Sequence, residues 1–235
     1  MHADRLLQTF LALSALLLLA HSAVAQPAFM STQPAPRVEY WQQRMHTIDK
    51  ELEVRANVEA ARLVFLGDSI TDFWLLGDSP WHKDVRYGRA QWDESFGESA
   101  GANRALNIAV SGDRTEHVLY RIQPKQAGGL GQLDAAGLDP EFVVLLIGIN
   151  NSWMPELPVV RSIVEGTRAV LDAVHARLPR ARIVLQTLLP TGERERNDQV
   201  VRLVNREIAS LAVEPRYATH VSLLDLYAAF VDPEG

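Results

Sequence analysis

Short apolar runs closed by small polar residues alternate, along most of this chain, with longer stretches whose apolar positions recur every three or four residues. Five short runs read as strands buried on both faces: Arg62–Leu66, Ala105–Val110, Phe142–Ile147, Arg182–Thr187 and His220–Leu224. In Pro158–Leu178 the residues Val160, Ile163, Val164, Thr167, Val170, Leu171, Val174 and Leu178 fall on one face of a helix. Asp198 is the expected N-cap of a second helix, in which Val201, Val204, Ile208 and Leu211 turn inward. Strands separated by helices in this way build βαβ units, so the predicted class is α/β with a parallel sheet. Gly128–Gly137 is glycine-rich but lacks the Lys-Ser/Thr ending of a phosphate loop, and it reads as a surface loop.

Upstream of Arg62 the pattern changes. Leu11–Ala20 is almost unbroken apolar sequence, preceded by Arg5 and followed by Ala23-Val24-Ala25, the small residues a signal peptidase reads. Counted from Leu6, that core is about 15 residues, short of the roughly 18–20 that span a bilayer. Residues 1–25 are therefore expected to be a cleaved signal peptide. The protein is then exported, periplasmic or extracellular, with no stable membrane anchor. Residues 26–61 divide into an extended linker, Gln26–Arg37, carrying Pro27, Pro34 and Pro36, and a helix over Val38–Ala61 on the outside of the domain. Residues 62–235 form the domain proper.

Composition narrows the function classes. Of 235 residues, 47% are apolar, enough for a sizeable core, and the net charge of −6 with no dense Lys/Arg run argues against a nucleic-acid partner. Cysteine is absent, which removes disulfides, thiolate metal sites and cysteine nucleophiles together. No His-Glu-x-x-His or comparable ligand spacing occurs, so neither a metal nor another cofactor is expected.

The chemistry concentrates where three of the strands end. Gly67-Asp68-Ser69, Ser111-Gly112-Asp113 and Gly148-Ile149-Asn150 each follow an apolar run. Each segment alone is an ordinary turn or cap. Together, at the carboxyl ends of parallel strands where α/β sheets bind ligands, they offer complementary groups. Ser69 can present a hydroxyl nucleophile and its own N–H. Gly112, lacking a side chain, lets a substrate approach its N–H, and Asn150 can add a side-chain N–H. One such donor to a developing oxyanion is typically worth about 10²–10³ in rate. Asp68 is expected to order the turn, with Thr71 and Asp72 starting the next helix and satisfying its free N–H groups. Arg114 lies beside the site and its ordinary role is a surface ion pair, while Trp74, Trp81 and Trp153 are placed to line a pocket mouth or to pack in the core.

The stretches "VFLGDSITDFW", "ALNIAVSGDRTEHVLYRI" and "VVLLIGINN" resemble the SGNH hydrolase superfamily, the GDSL esterases and lipases, in its platelet-activating-factor acetylhydrolase-like acylhydrolase branch. The resemblance runs from about Arg62 to Gly235. It implies a flavodoxin-like three-layer α/β/α sandwich on a five-stranded parallel sheet. It also implies Ser69 as nucleophile, and an oxyanion hole of Ser69 N–H, Gly112 N–H and Asn150. The implied substrate is a small carboxylic ester of a lipid, carbohydrate or aryl alcohol, cleaved through an acyl-enzyme. The α/β-hydrolase alternative lacks its Gly-x-Ser-x-Gly motif here.

In that superfamily an Asp-x-x-His segment after the fifth strand supplies the base, and a final helix covers one face of the sheet. Here the fifth strand runs into "LLDLYAAFVDPEG", so the chain as given is expected to be incomplete at its C-terminus, to lack that base and helix, and to be inactive alone. Its single Asp-x-x-His, Asp172 to His175, falls inside the Pro158–Leu178 helix on a solvated face. His46 lies in the N-terminal helix, His82 in a loop near the pocket mouth, His117 packs or caps after the Gly112 turn, and His220 starts a strand at the end opposite the site. The alternative reading is a non-catalytic ligand-binding module that keeps the pocket without turnover.

Overall fold

The computed structural model describes residues 28–37, 41–154 and 156–231; the expected signal peptide, Val38, Tyr40 and the last four residues lie outside these. Helix α1 (Trp41–Glu53) and the short α2 (Arg55–Ala60) lead into β1 (Leu63–Gly67). A four-residue helix α3 (Ser69–Asp72) follows, then α4 (Arg89–Ser95), β2 (Ala105–Asn107) and α5 (Thr115–Ile122). After β3 (Phe142–Leu146) come α6 (Val159–Arg177), β4 (Arg182–Gln186), α7 (Arg202–Ala212) and β5 (Val221–Leu224).

The five strands pair in parallel in the order β2-β1-β3-β4-β5. The connection leaves β1 toward β2 on one side and returns to β3 on the other, so the loops after β1 and β3 diverge and open a crevice. Alternate residues of β1 serve opposite faces, as a pleated strand requires. Val64 and Leu66 join the buried cluster with Trp41, Met45, Ile48, Ile163 and Val170, while Phe65 turns to Trp92 of α4 and to Phe96 in edge-on contacts. At the far edge, β5 leaves Leu223 and Leu224 exposed, and Phe230 beyond it is 64% exposed.

Several sequence expectations shift. The single helix expected over Val38–Ala61 is two, broken at Val54, and it is not merely external: Trp41, Met45, Ile48 and Val58 are buried. The second strand pairs regularly only to Asn107, after which Ile108 N–H and Val110 N–H still bond Phe65 and Gly67 carbonyls at 2.9 and 3.1 Å. Asp198 is not an N-cap. It sits in a π-helical turn, Asn197–Val201, that continues a helical turn begun at Arg194. The glycine-rich loop is anchored rather than free, with Gln132 and Leu133 buried.

Candidate active site

The first segment is shaped by close packing. A Cβ on Gly67 would stand 2.4 Å from the Leu146 carbonyl oxygen and 2.9 Å from Thr71 Oγ1, so only glycine lets β1 end against β3 and turn directly into α3. Asp68 caps that helix: its Oδ1 accepts the Ile70 N–H at 3.0 Å, and its backbone carbonyl accepts Thr71 and Asp72 N–H groups. Capping therefore belongs to Asp68, while Thr71 and Asp72 close the helix rather than open it. Ser69 is the first helical residue and half-buried, and its N–H finds no acceptor among the described residues.

The second segment is a turn closed by the Asp113 N–H on the Val110 carbonyl at 3.1 Å, with Gly112 at φ +80°, the value a type II turn requires at its third residue. The groups flanking Gly112 are tied down by hydrogen bonds and ion pairs. The Ser111 N–H donates to Asp72 Oδ2 at 2.9 Å, and the Ser111 carbonyl accepts Arg37 Nη1 at 2.7 Å. The fully buried Asp113 carboxylate takes Arg37 Nη1 at 3.1 Å and the fully buried Arg121 Nε at 2.8 Å. Arg121 also donates to the Ile108 carbonyl and to Gln132 Oε1, each at 2.7 Å. Gly112 N–H has no acceptor among the described residues.

In the third segment, two adjacent asparagines divide the work. Asn150 Nδ2 donates to the Asp113 carbonyl at 2.8 Å, which fixes the carboxamide and leaves its second N–H unspent. Asn151 instead ties β3 to α5: its Oδ1 accepts the Thr115 N–H at 3.1 Å and its Nδ2 donates to Glu116 Oε2 at 2.9 Å. Gly112 and Asn150 thus face a common cleft of about 520 Å³, lined also by Arg37, Arg114, His117 and Trp153. Ser69 is not among the residues lining that cleft; it stands at the end of β1, between the strands whose loops carry Gly112 and Asn150: Val110 N–H bonds the Gly67 carbonyl, and Gly67 is in register with Leu146.

Electrostatics around the site follow from burial. Asp68 is fully buried, its Oδ2 has no partner among the described residues, and burial, with Asp113 and Asp72 nearby, pushes its carboxyl up to about 7. His117 is buried and accepts the Arg114 N–H on Nδ1 at 3.0 Å, so the ring carries its proton on Nε2. Burial and then the Arg114, Arg37 and Arg121 charges pull it down to about 3. His117 therefore caps α5 as a neutral ring, and Arg114 pairs with Glu116 at 2.6 Å.

Of the three tryptophans, Trp153 lines the cleft, with its ring 3.5 Å from the Arg196 guanidinium carbon. Trp81 packs on Phe73 and Tyr87, and Trp74 lies against Gly88. Asp172 and His175 are not a catalytic pair. Asp172 accepts from Tyr217 Oη and Arg216, and the His175 ring is half-buried, stacked on His220 at the sheet's opposite end, so the solvated face expected there is corrected. None of the described histidines hydrogen-bonds Ser69. No cluster of three or more metal-ligating side chains occurs among the described residues.

Comparison with known proteins bears on the family and the fold. Residues 65–235 match the model of the GDSL-like Lipase/Acylhydrolase family. The human platelet-activating factor acetylhydrolase IB subunit alpha1 is 31% identical over 192 residues, covering 80% of this chain. The alpha2 subunit of Rattus norvegicus is 29% identical over 173 residues, or 72% of this chain. The chain spans 64% and 65% of the length of these two relatives. A protein from Streptococcus pneumonia, provisionally described as a platelet activating factor, shares the fold at a TM-score of 0.54 and 20% identity, over 83% of this chain and 78% of its own. With the matched region beginning inside β1 and taking in all three strand-end segments, this chain belongs to the GDSL-like lipase/acylhydrolase family.

Proposed function

We propose that this chain carries the catalytic site of an exported serine esterase, which hydrolyses a small carboxylic ester through an acyl-enzyme. Ser69 Oγ attacks the ester carbonyl, and the oxygen that becomes negative is received by Ser69 N–H, Gly112 N–H and the free Asn150 Nδ2–H. The Ser69 proton passes to a base and then to the departing alcohol, and water releases the acyl group by the reverse sequence. The observation that supports this reading most directly is that two backbone N–H groups and one carboxamide N–H, on three neighbouring strand ends, have no acceptor among the described residues. Lipid, carbohydrate and aryl esters all remain within the proposed substrate class, and residues 1–25 are proposed to direct export.

The test uses the full-length gene product. It is expected to hydrolyse p-nitrophenyl acetate and to be labelled by a fluorophosphonate probe, with Ser69→Ala abolishing both. Hydrolysis that survives Ser69→Ala removes Ser69 as nucleophile. Ligand binding with no labelling at all would favour a non-catalytic module.

A further inference from the structure

The Ser111–Gly112 peptide raises a geometric question. Type I and type II turns differ mainly in the orientation of the peptide between their second and third residues, which is turned over from one to the other. Here that peptide is the one whose nitrogen is Gly112 N. Glycine accepts either sign of φ, so nothing intrinsic to Gly112 keeps the +80° state. In the flipped state the Gly112 N–H would point to the opposite side of the turn.

One side chain acts directly on the carbonyl of that peptide. Arg37 Nη1 donates to the Ser111 oxygen at 2.7 Å and to Asp113 Oδ1 at 3.1 Å. Its guanidinium is seated over the turn so closely that a Cβ on Gly112 would lie 2.9–3.3 Å from its atoms. Because the peptide is planar and trans, a donor fixed on the Ser111 oxygen fixes the Gly112 N–H on the opposite side. A cationic donor on the carbonyl also polarises the amide and strengthens its N–H as a donor. Arg37 is itself anchored through the segment that carries it. Ser31 Oγ donates to the Ser162 carbonyl at 2.7 Å, Thr115 Oγ1 donates to the Ser31 carbonyl at 2.8 Å, and the Ala35 N–H donates to the Glu116 carbonyl at 3.0 Å. This segment lies upstream of the region matched by the family, residues 65–235.

We propose that Arg37 is a positioning residue for the oxyanion site: held by the segment before the domain proper, it locks the Ser111–Gly112 peptide with the Gly112 N–H turned to the cleft. Resting on the esterase reading above, the proposal makes that upstream segment part of the active-site apparatus.

The test compares the full-length protein with Arg37→Ala and Arg37→Lys. Loss of one oxyanion donor costs about 10²–10³ in rate, and mis-aiming the same donor is expected to lower kcat for p-nitrophenyl acetate by about 10- to 100-fold in Arg37→Ala. KM should stay within about twofold, because the group acts on the transition state. Millimolar guanidinium should restore part of the loss. Lysine, which lacks the planar fork, should give an intermediate kcat. The backbone amide signal of Gly112 in a ¹H–¹⁵N spectrum should move in both variants. Unchanged kcat in a folded Arg37→Ala protein overturns the proposal, and so does a rise in KM alone. If Arg37→Ala does not fold, the Arg37→Lys rate and its Gly112 amide decide. If the wild type shows no Ser69-dependent turnover, the esterase reading fails, while an unmoved Gly112 amide would sink the Arg37 assignment separately.

Discussion

Asp72 Oδ2 accepts the Ser111 N–H at 2.9 Å, which couples the short helix that begins with Ser69 to the turn that presents Gly112. The other carboxylate oxygen meets Arg44 Nε at 2.9 Å, and Arg44 in turn donates to the Ala109 and Asn107 carbonyls. One buried carboxylate thus fixes the spacing between the proposed nucleophile and its proposed oxyanion donor. Asp72→Ala leaves Arg44 and the Ser111 N–H without their partner, and breaking a buried pair in this way costs about 3–5 kcal/mol. Asp72→Asn keeps an oxygen for Ser111 and loses only the charge. The expected order of urea midpoints is wild type, then Asn, then Ala, with kcat falling in the same order. Equal midpoints for the two variants would show that the Ser111 bond contributes nothing.

Asp68 makes stability depend on pH. Its folded value, raised to about 7 by burial, lies above the unfolded value of about 3.9. The folded state therefore holds a proton that the unfolded chain has released. Stability should fall as pH rises from about 4 to about 7, by up to about 1.4 kcal/mol per pH unit, and level off above that. Asp68→Asn keeps an acceptor for the Ile70 N–H and removes the titration. It is expected to match wild type at pH 4 and to exceed it at pH 8 in urea denaturation. A variant less stable than wild type at both pH values contradicts this.

The sheet and the three strand-end segments were legible in the sequence because they are local. An apolar run followed by small polar residues already states where a buried strand stops. What fixes those segments was not legible, because it is long-range. Arg37 is 74 residues from Ser111, and Asn150 is 37 from Asp113. Asp113 and Arg121, eight residues apart, form a buried ion pair that the polar run Arg114–His117 between them gave no reason to expect. The misplaced N-cap at Asp198 has a local cause. Helical turns already begin at Arg194, and Asn197 spends its side chain on the loop before them, its Oδ1 accepting the Thr191 N–H at 2.7 Å.

His220 gives stability an opposite pH dependence. The His175 and His220 rings stack at 3.8 Å and 14°, with His175 Nδ1 and His220 Nε2 buried and without a partner among the described residues. Burial, followed by the neighbouring His175, lowers the His220 value; Asp172 raises it and Arg216 lowers it by smaller amounts. The folded state refuses a proton that the unfolded chain accepts, so this contribution is constant above about pH 6.5 and falls as pH drops below it. His220→Phe preserves the stack and removes the titrating ring. Its thermal midpoint should fall less than that of wild type between pH 7 and pH 5. Parallel curves for the two proteins would remove His220 as the source.

Trp153 separates binding from chemistry. Its indole is half exposed, yet it is not free to swing, because the Arg196 guanidinium lies 3.5 Å from the ring centre and is itself bonded to the Ser152 carbonyl at 2.8 Å and Ser152 Oγ at 3.1 Å. A fixed aromatic wall beside Asn150 suits the non-reacting part of an ester, contributing equally to ground and transition states. Trp153→Ala is then expected to raise KM for an aryl ester by about 5- to 10-fold, or roughly 1 kcal/mol, with kcat within about twofold of wild type. Arg196→Ala, which leaves the ring in place but unsupported, should fall between the two. This is the reverse of the pattern expected for Arg37→Ala, where kcat falls and KM holds. A Trp153→Ala protein that instead loses kcat at constant KM would place the indole among the groups that act on the transition state and would remove it as a binding wall.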